Sequence, residues 1–209
     1  MAAVYLTLLR HGICEGESEG RFIGQTEAPL TAQGKQELKA MALAGGYPAA
    51  DAVFCSPLLR CKETAAILYP QLNSIELPDF REYFFGEYEN KTPAELQKHE
   101  LFHSWISGAP GVTPPFAESL TDFSARLTNT FALLIQGLLK TKTPHSVLIT
   151  HGGVIMALMH RFALPEAQMH EWACMPGTGY TLRADLRLWM QGQKCEAVSI
   201  APERGASIA

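Results

Sequence analysis

The chain has 209 residues, of which 47% are hydrophobic, and its formal net charge is −4. This length and apolar content are enough for one sizeable core, so we predict a single domain over residues 1–209. The 17 Lys and Arg residues form no run, and no apolar stretch reaches the ~18 residues of a membrane span, so we expect neither nucleic acid nor a membrane as a partner.

The cysteines indicate a reducing compartment. There are five of them, an odd number, and no two are spaced as Cys-x-x-Cys. This pattern favours free thiols in the cytoplasm over a disulfide framework. No basic region precedes the first apolar stretch, so we expect no signal peptide.

Strands and helices alternate along the predicted chain. In chain order we predict a strand over residues 4–9, a helix over 32–44, a strand over 52–55, a helix over 57–69, a strand over 74–77, helices over 93–104 and 120–140, a strand over 146–150, a helix over 154–162, and strands over 178–186 and in two short runs around Gly192. Thr31, Ser56 and Thr92 are the predicted N-caps of the first three helices. The tail from residue 203 is expected to fray. This alternation is typical of an α/β fold, and we predict a three-layer αβα sandwich around a mostly parallel sheet.

Two of the predicted strands end in a histidine. Arg10-His11-Gly12 follows the first strand, and His151-Gly152-Gly153 follows the strand over 146–150. Ligands of such sheets bind beyond the carboxyl ends of the strands, so Arg10 and both imidazoles are expected to point into one crevice. The Gly-Gly turn opens a helix whose N-terminal amides favour an anion such as phosphate.

Two further residues are candidates for this site. Arg60 lies near the start of the helix after the second strand, where it can lean over the strand ends, although a solvated surface arginine is the simpler interpretation. Glu82 lies in an aromatic segment, where apolar neighbours would raise the pKa of its carboxyl, as a general acid requires. Glu87 and Glu89 remain alternatives for that acid.

These four segments together resemble the signature motifs of the histidine phosphatase superfamily, the phosphoglycerate-mutase-like enzymes. The matching stretches are Arg10-His11-Gly12, the second arginine motif over residues 56–61, Arg81-Glu82 with Phe85-Gly86, and Thr150-His151-Gly152-Gly153. The resemblance spans residues 4–185. It is their common order and spacing that make the motifs specific.

The resemblance implies a phosphoglycerate-mutase-like fold and a phosphomonoesterase that works through a phosphohistidine intermediate. His11 would be the nucleophile and Glu82 the proton donor, with a small-molecule phosphate ester as substrate and neither cofactor nor metal. The remaining implied site residues are Arg10, Arg60 and His151, which are catalytic and bind phosphate, and Gly152, Ile23 and Gly24, which bind phosphate or substrate.

Within that family the chain is similar to the α-ribazole phosphatases of cobalamin biosynthesis. The similarity rests on residues 20–31 and on Glu118-Ser119-Leu120. We therefore expect α-ribazole 5′-phosphate as substrate. A broad-specificity sugar or metabolite phosphatase and a phosphoglycerate mutase stay open as alternatives, because they share the catalytic motifs.

Three of the departures from the family pattern lie shortly after His11. Ile13, Cys14 and Glu17 stand where Glu, then Ser or Thr, and an Asn that touches the phosphate are common. A carboxylate at position 17 would repel a phosphate group, so we do not expect Glu17 to be a ligand. The departures also leave open a phosphate-binding protein that has lost catalysis.

A zinc protease is the alternative from a different class. His99-Glu100-Leu101-Phe102-His103 is a His-Glu-x-x-His string on the predicted helix over 93–104, which would place both imidazoles on one face. No third ligand follows at the usual spacing, and no second motif supports zinc. We therefore expect an ordinary amphipathic helix there.

Overall fold

The computed structural model describes residues 3–203, and its centre is a seven-stranded sheet. The strands are β1 (Val4–Arg10), β2 (Ala52–Cys55), β3 (Ser74–Glu76), β4 (His145–Thr150), β5 (Ala163–Leu164), β6 (Gly179–Ala184) and β7 (Cys195–Ala201). They lie in the order β3-β2-β4-β1-β6-β7-β5. Within this sheet only β6 runs antiparallel to its neighbours. The predicted, mostly parallel sheet is confirmed.

Helices cover both faces of the sheet. They are α1 (Ala32–Ala44), α2 (Leu59–Leu68), α3 (Pro93–Leu96), α4 (Phe102–Ile106), α5 (Leu120–Thr141), α6 (Gly152–Phe162) and α7 (Leu186–Gly192). α1 packs on α2, which contacts β2 and β4, while α5 packs on α6, which contacts β1. The predicted three-layer architecture is confirmed. Among the helices described, none has both the length and the apolar character needed to cross a membrane.

Alternating side chains of β1 and β4 divide the core between the two faces. Leu8 and Leu148 pack in the cluster that contains α5 and α6, whereas Leu9 and Ile149 pack in the cluster that contains α2. This follows because successive residues of a strand point to opposite faces. With both faces covered, the strand ends are where polar side chains can gather.

The helix after β2 begins later than predicted. Its first residue is Leu59, and Leu58 is the N-cap in place of Ser56. The Ser56 hydroxyl lies 2.8 Å from His151 Nε2. The Ser56 hydroxyl, which the local pattern assigned to helix capping, therefore makes a tertiary contact with His151.

The predicted helix over 93–104 is wrong as a continuous element. Thr92 and Glu95 form the predicted capping box, but α3 ends at Leu96 and residues 97–101 turn before α4. Leu96 and Phe102 both pack against Tyr88. In an unbroken helix, side chains six residues apart point about 120° away from each other. The turn is what brings both onto the same aromatic ring.

The run before Gly192 is helix α7, which corrects the predicted strand. Asp185 caps this helix by accepting a 2.9 Å hydrogen bond from the Leu188 amide, and Trp189 packs into the core. The run after Gly192 is strand β7, as predicted. At the predicted tail, the Glu203 amide donates to the Gly46 carbonyl at 2.8 Å, and residues 204–209 lie outside the described residues.

Candidate active site

A cavity of about 300 Å³ opens where β1 and β4 end. This is the edge at which sheets of this kind bind ligands. The lining side chains come from the segment after β1, from the segment around Glu82 and from the start of α6: Arg10, His11, Cys14, Glu17, Arg21, Phe22, Ile23, Glu82, Phe85, Gly152, Gly153 and Met156. Two guanidinium groups, one imidazole and two carboxyl groups therefore face one space.

His11 is held as a neutral imidazole. Its Nδ1 lies 2.7 Å from the Gly12 carbonyl, which can only accept, so Nδ1 carries the proton. Its Nε2 accepts a 3.2 Å hydrogen bond from Arg60 Nε. Burial, and then the positive charge of Arg60, lower the pKa of His11 well below its usual range. The Nε2 lone pair is therefore present at neutral pH, which is the form that a nucleophile needs.

Arg60 and His151 lie behind His11, and both are completely buried. The simpler interpretation of Arg60 as a solvated surface residue is therefore wrong. Arg60 also donates to the Thr26 carbonyl at 3.0 Å and to the Gly24 carbonyl at 2.5 Å. The His151 ring stands edge-on to His11, with centroids 5.1 Å apart. Burial and Arg60 lower the pKa of His151, so the two imidazoles are neutral neighbours.

Arg10 is paired with a carboxylate inside the cavity. Its Nη2 donates to Glu17 Oε1, and its Nη1 donates to the Cys174 carbonyl at 2.8 Å. The other carboxylate oxygen, Glu17 Oε2, accepts from the Cys14 amide at 3.3 Å and from the Cys14 thiol at 3.7 Å. Burial, with Glu17, raises the pKa of Cys14 to about 12, so its sulfur is a thiol at neutral pH. Glu17 thus holds the side of Arg10 that an anion would use.

Glu82 lines the same cavity and is 9% exposed. Its Oε1 accepts from the Tyr83 amide and its Oε2 from the Gly153 amide, each at 2.9 Å. Burial raises the pKa of Glu82 even though both amides and the nearby arginines oppose the rise. A Cβ at position 153 would lie 2.5 Å from Glu82 Oε1, so glycine is what permits this close approach.

Glu87 and Glu89, the alternative acids, have other partners. Glu87 lies 3.5 Å from His99 Nε2. The Glu89 carboxylate gathers a loop by accepting from the amides of Gly24, Gln25, Thr26 and Phe85 at 2.9–3.3 Å. Within residues 3–203, neither side chain is part of the cavity wall.

Arg126 was not found by sequence reasoning, and it holds the segment that carries Glu82. Its guanidinium donates to both carboxylate oxygens of Glu118, at 2.6 and 2.9 Å. It also donates to the carbonyls of Arg81 at 2.8 Å and Glu82 at 3.0 Å. Arg126 lies on α5, 44 residues after Glu82, so no local pattern connects the two. The only signal in the sequence was the neighbouring Glu118-Ser119-Leu120 stretch.

The predicted substrate-binding residues fall in two places. Ile23 and Gly152 line the cavity. Gly24 lies behind it, where its carbonyl accepts from Arg60 and its amide donates to Glu89. Gly24 therefore helps to hold Arg60 in place.

The His-Glu-x-x-His string does not assemble a metal site. His99 Nδ1 lies 2.9 Å from the Tyr88 hydroxyl, and His103 donates from Nε2 to the Gln97 carbonyl at 3.0 Å. In the described part of the chain, the one cluster of His, Cys and acidic side chains close enough to hold a metal ion is His11, Cys14 and Glu17.

Comparisons with known proteins show the family and the fold. A family model described as histidine phosphatase superfamily (branch 1) matches residues 6–192. The adenosylcobalamin/α-ribazole phosphatase of Escherichia coli K12 is 28% identical over 171 residues, which cover 79% of this chain and 83% of that protein. The 2,3-bisphosphoglycerate-dependent phosphoglycerate mutase of Methylobacterium radiotolerans is 31% identical over 195 residues, covering 86% and 90%. A crystal structure of the α-ribazole phosphatase from Shigella flexneri has a TM-score of 0.82 at 22% identity and covers 99% of this chain and all of that one, which shows the shared fold.

Proposed function

The chain belongs to the histidine phosphatase superfamily, and we propose that it hydrolyses phosphomonoesters through a phosphohistidine formed on His11. One observation carries this proposal. The same cavity is lined by an imidazole whose pKa is lowered and by a carboxyl group, that of Glu82, whose pKa is raised. Titratable groups whose pKa values are pushed apart in one site are suited to act as nucleophile and acid.

In the first step His11 Nε2 attacks phosphorus, and the nitrogen–phosphorus bond forms as the ester bond breaks. The imidazole is ready because its low pKa keeps Nε2 unprotonated. The protonated carboxyl of Glu82 gives its proton to the leaving oxygen, so the alcohol departs uncharged. The Gly12 carbonyl stays bonded to Nδ1–H and stabilises the positive charge of the phosphorylated ring.

In the second step a water molecule cleaves the phosphohistidine. The Glu82 carboxylate takes a proton from the water as the water oxygen bonds to phosphorus and the bond to nitrogen breaks. Phosphate leaves, and the cycle ends with a protonated Glu82 and a neutral His11.

The cationic groups offset charge on the moving phosphoryl group. A phosphate fits the fork of Arg10 through two hydrogen bonds and replaces Glu17 there. Arg60 Nε loses its acceptor when His11 Nε2 bonds to phosphorus, and it then turns to the phosphoryl oxygens. Gly152 and Gly153 lie at the N-terminus of α6, where an anion is favoured.

Hydrolysis of p-nitrophenyl phosphate is expected to be independent of metal, because the arginines supply the charge stabilisation that a metal ion would otherwise provide. Rates measured with and without excess EDTA should agree. An activity that EDTA removes and added zinc restores would overturn the mechanism.

For the leaving group we propose α-ribazole, as its 5′-phosphate, in cobalamin biosynthesis in the cytoplasm. The similarity to proteins named adenosylcobalamin/α-ribazole phosphatase supports this substrate. So does the cavity wall, since Phe22 and Phe85 line it and pack in a cluster with Tyr88, Phe102 and Trp105. An aromatic wall suits the planar base of a nucleoside-like leaving group. The cysteines of the described chain are all free, as expected in a reducing compartment.

The expected kcat/KM is higher for α-ribazole 5′-phosphate than for 3-phosphoglycerate or fructose bisphosphates, because only the first offers an aromatic base to Phe22 and Phe85. Discrimination is measured as the ratio of these values. Phe22→Leu should lower the ratio, whereas Phe116→Leu, at a side chain that is 83% exposed and is not part of the described cavity wall, should not change it. A preference for a sugar phosphate of about tenfold or more would reassign the substrate and leave the catalytic residues in place.

A further inference from the structure

We propose that His11, Cys14 and Glu17 form a binding site for a thiophilic divalent cation such as Zn²⁺, and that the bound cation blocks the nucleophile. The inhibition rests on the proposed function, whereas the binding does not. Each of the three residues offers one ligand atom, and these atoms lie within 4.8 Å of one another. Nitrogen, sulfur and carboxylate oxygen are the ligands that zinc takes in proteins.

The three ligand atoms need only a small contraction to hold the ion. Zinc bonds of about 2.3 Å to sulfur and 2.0 Å to nitrogen place neighbouring ligands of a tetrahedron about 3.5 Å apart. Separations of at most 4.8 Å therefore close by about 1 Å, which side-chain rotation can supply. A tetrahedral ion held by three protein ligands would keep a fourth position for water.

Cys14 and Glu17 already form a hydrogen-bonded pair, and the cation would replace the proton between them. The Cys14 thiol donates to Glu17 Oε2 at 3.7 Å. On binding, the S–H bond breaks, the proton goes to solvent, and the sulfur and Oε2 bind the metal. Glu17 Oε1 remains bonded to Arg10, which then orients the carboxylate as an outer partner of the ligand.

His11 is similarly prepared for a metal. The Gly12 carbonyl fixes the proton on Nδ1 and aligns the ring, which is the arrangement usual for a histidine that binds a metal through Nε2. Arg60 gives up one hydrogen bond, that to Nε2, and keeps those to Thr26 and Gly24.

The charges in the cavity determine which cations fit. Arg10 and Arg60 repel any cation, and the thiolate and the Glu17 carboxylate offset that repulsion. Mg²⁺ prefers oxygen ligands and octahedral geometry, so a site with one sulfur and one nitrogen discriminates against it. Metal and phosphoryl group compete for the same Nε2, so the expected inhibition is competitive with substrate.

The test compares zinc inhibition in matched cysteine variants, each relative to its own metal-free rate. Zn²⁺ should inhibit hydrolysis of p-nitrophenyl phosphate by the wild type, EDTA should reverse the inhibition, and Mg²⁺ should have no effect. Cys14→Ser should raise the inhibition constant for zinc at least about tenfold, because the loss of even an outer partner of a ligand weakens metal affinity by about that factor. Cys195→Ala removes a buried thiol that is not part of the described cavity wall and should leave the inhibition constant unchanged.

A second measurement detects metal binding independently of catalysis. Titration with Cd²⁺ should produce the ultraviolet thiolate-to-metal charge-transfer band in the wild type and in Cys195→Ala, and the band should be lost in Cys14→Ser. Equal zinc inhibition of the wild type and Cys14→Ser, or a band that persists in Cys14→Ser, would overturn the site. If the wild type shows the band but hydrolyses no phosphate ester, the metal site stands and the proposed function fails.

Discussion

Replacing His11 by alanine is expected to abolish turnover of every phosphate ester. The loss should be on the order of 10⁶ in kcat, the scale seen when a side-chain nucleophile is removed. His151→Ala should leave residual activity, with a loss on the order of 10²–10³, because a group that only stabilises the transition state contributes that much. The two imidazoles touch, so this difference in magnitude is what separates their roles.

The measurement is kcat with p-nitrophenyl phosphate, combined with an acid quench of radiolabelled substrate. Label should be trapped on the wild type and absent from His11→Ala. His170→Ala serves as the control, because this histidine is exposed and lies outside the cavity wall. Thermal unfolding of each variant shows whether it is folded. A fully active His11→Ala protein would refute the phosphohistidine mechanism.

Glu82→Gln is expected to slow an alkyl phosphate by about 10²–10⁴ and to slow p-nitrophenyl phosphate far less. An alkoxide needs a proton to depart, whereas nitrophenolate leaves unaided. Burial raises the pKa of Glu82, and its acid form is lost as pH rises through that raised value. The wild-type rate on the alkyl ester should therefore fall over this range, and the fall should disappear in the Gln variant.

The neighbouring carboxylates provide the matched controls. Glu87→Gln should change neither rate, because Glu87 lies outside the cavity wall among the residues described. Glu89→Gln should slow both esters alike, since it loosens the loop whose carbonyls at Gly24 and Thr26 hold Arg60. Equal losses for the two esters in Glu82→Gln, or a loss that depends on the leaving group in either control, would show that the acid is another residue.

Local sequence patterns were sufficient to predict the strands and helices that carry this site. The apolar runs that predicted β1 and β4, the capping of α1 by Thr31 and the Gly152-Gly153 pair that opens α6 all depend on residues within a few positions of each other. The position of His11 follows from these elements, because a polar residue directly after a buried strand lies at the sheet edge where ligands bind.

Only the tertiary structure determined which side chains of the site contact each other and how deeply they are buried. Ser56 meets His151 across 95 positions, and Arg126 meets the Glu82 carbonyl across 44. The pairing of Arg10 with Glu17 and the complete burial of Arg60 likewise appear only when the loops close around the strand ends. Burial is also the largest cause of the pKa shifts of His11 and Glu82. Desolvation of a titratable group depends on every segment that packs around it. The resulting pKa shift therefore cannot be predicted from any single stretch of sequence.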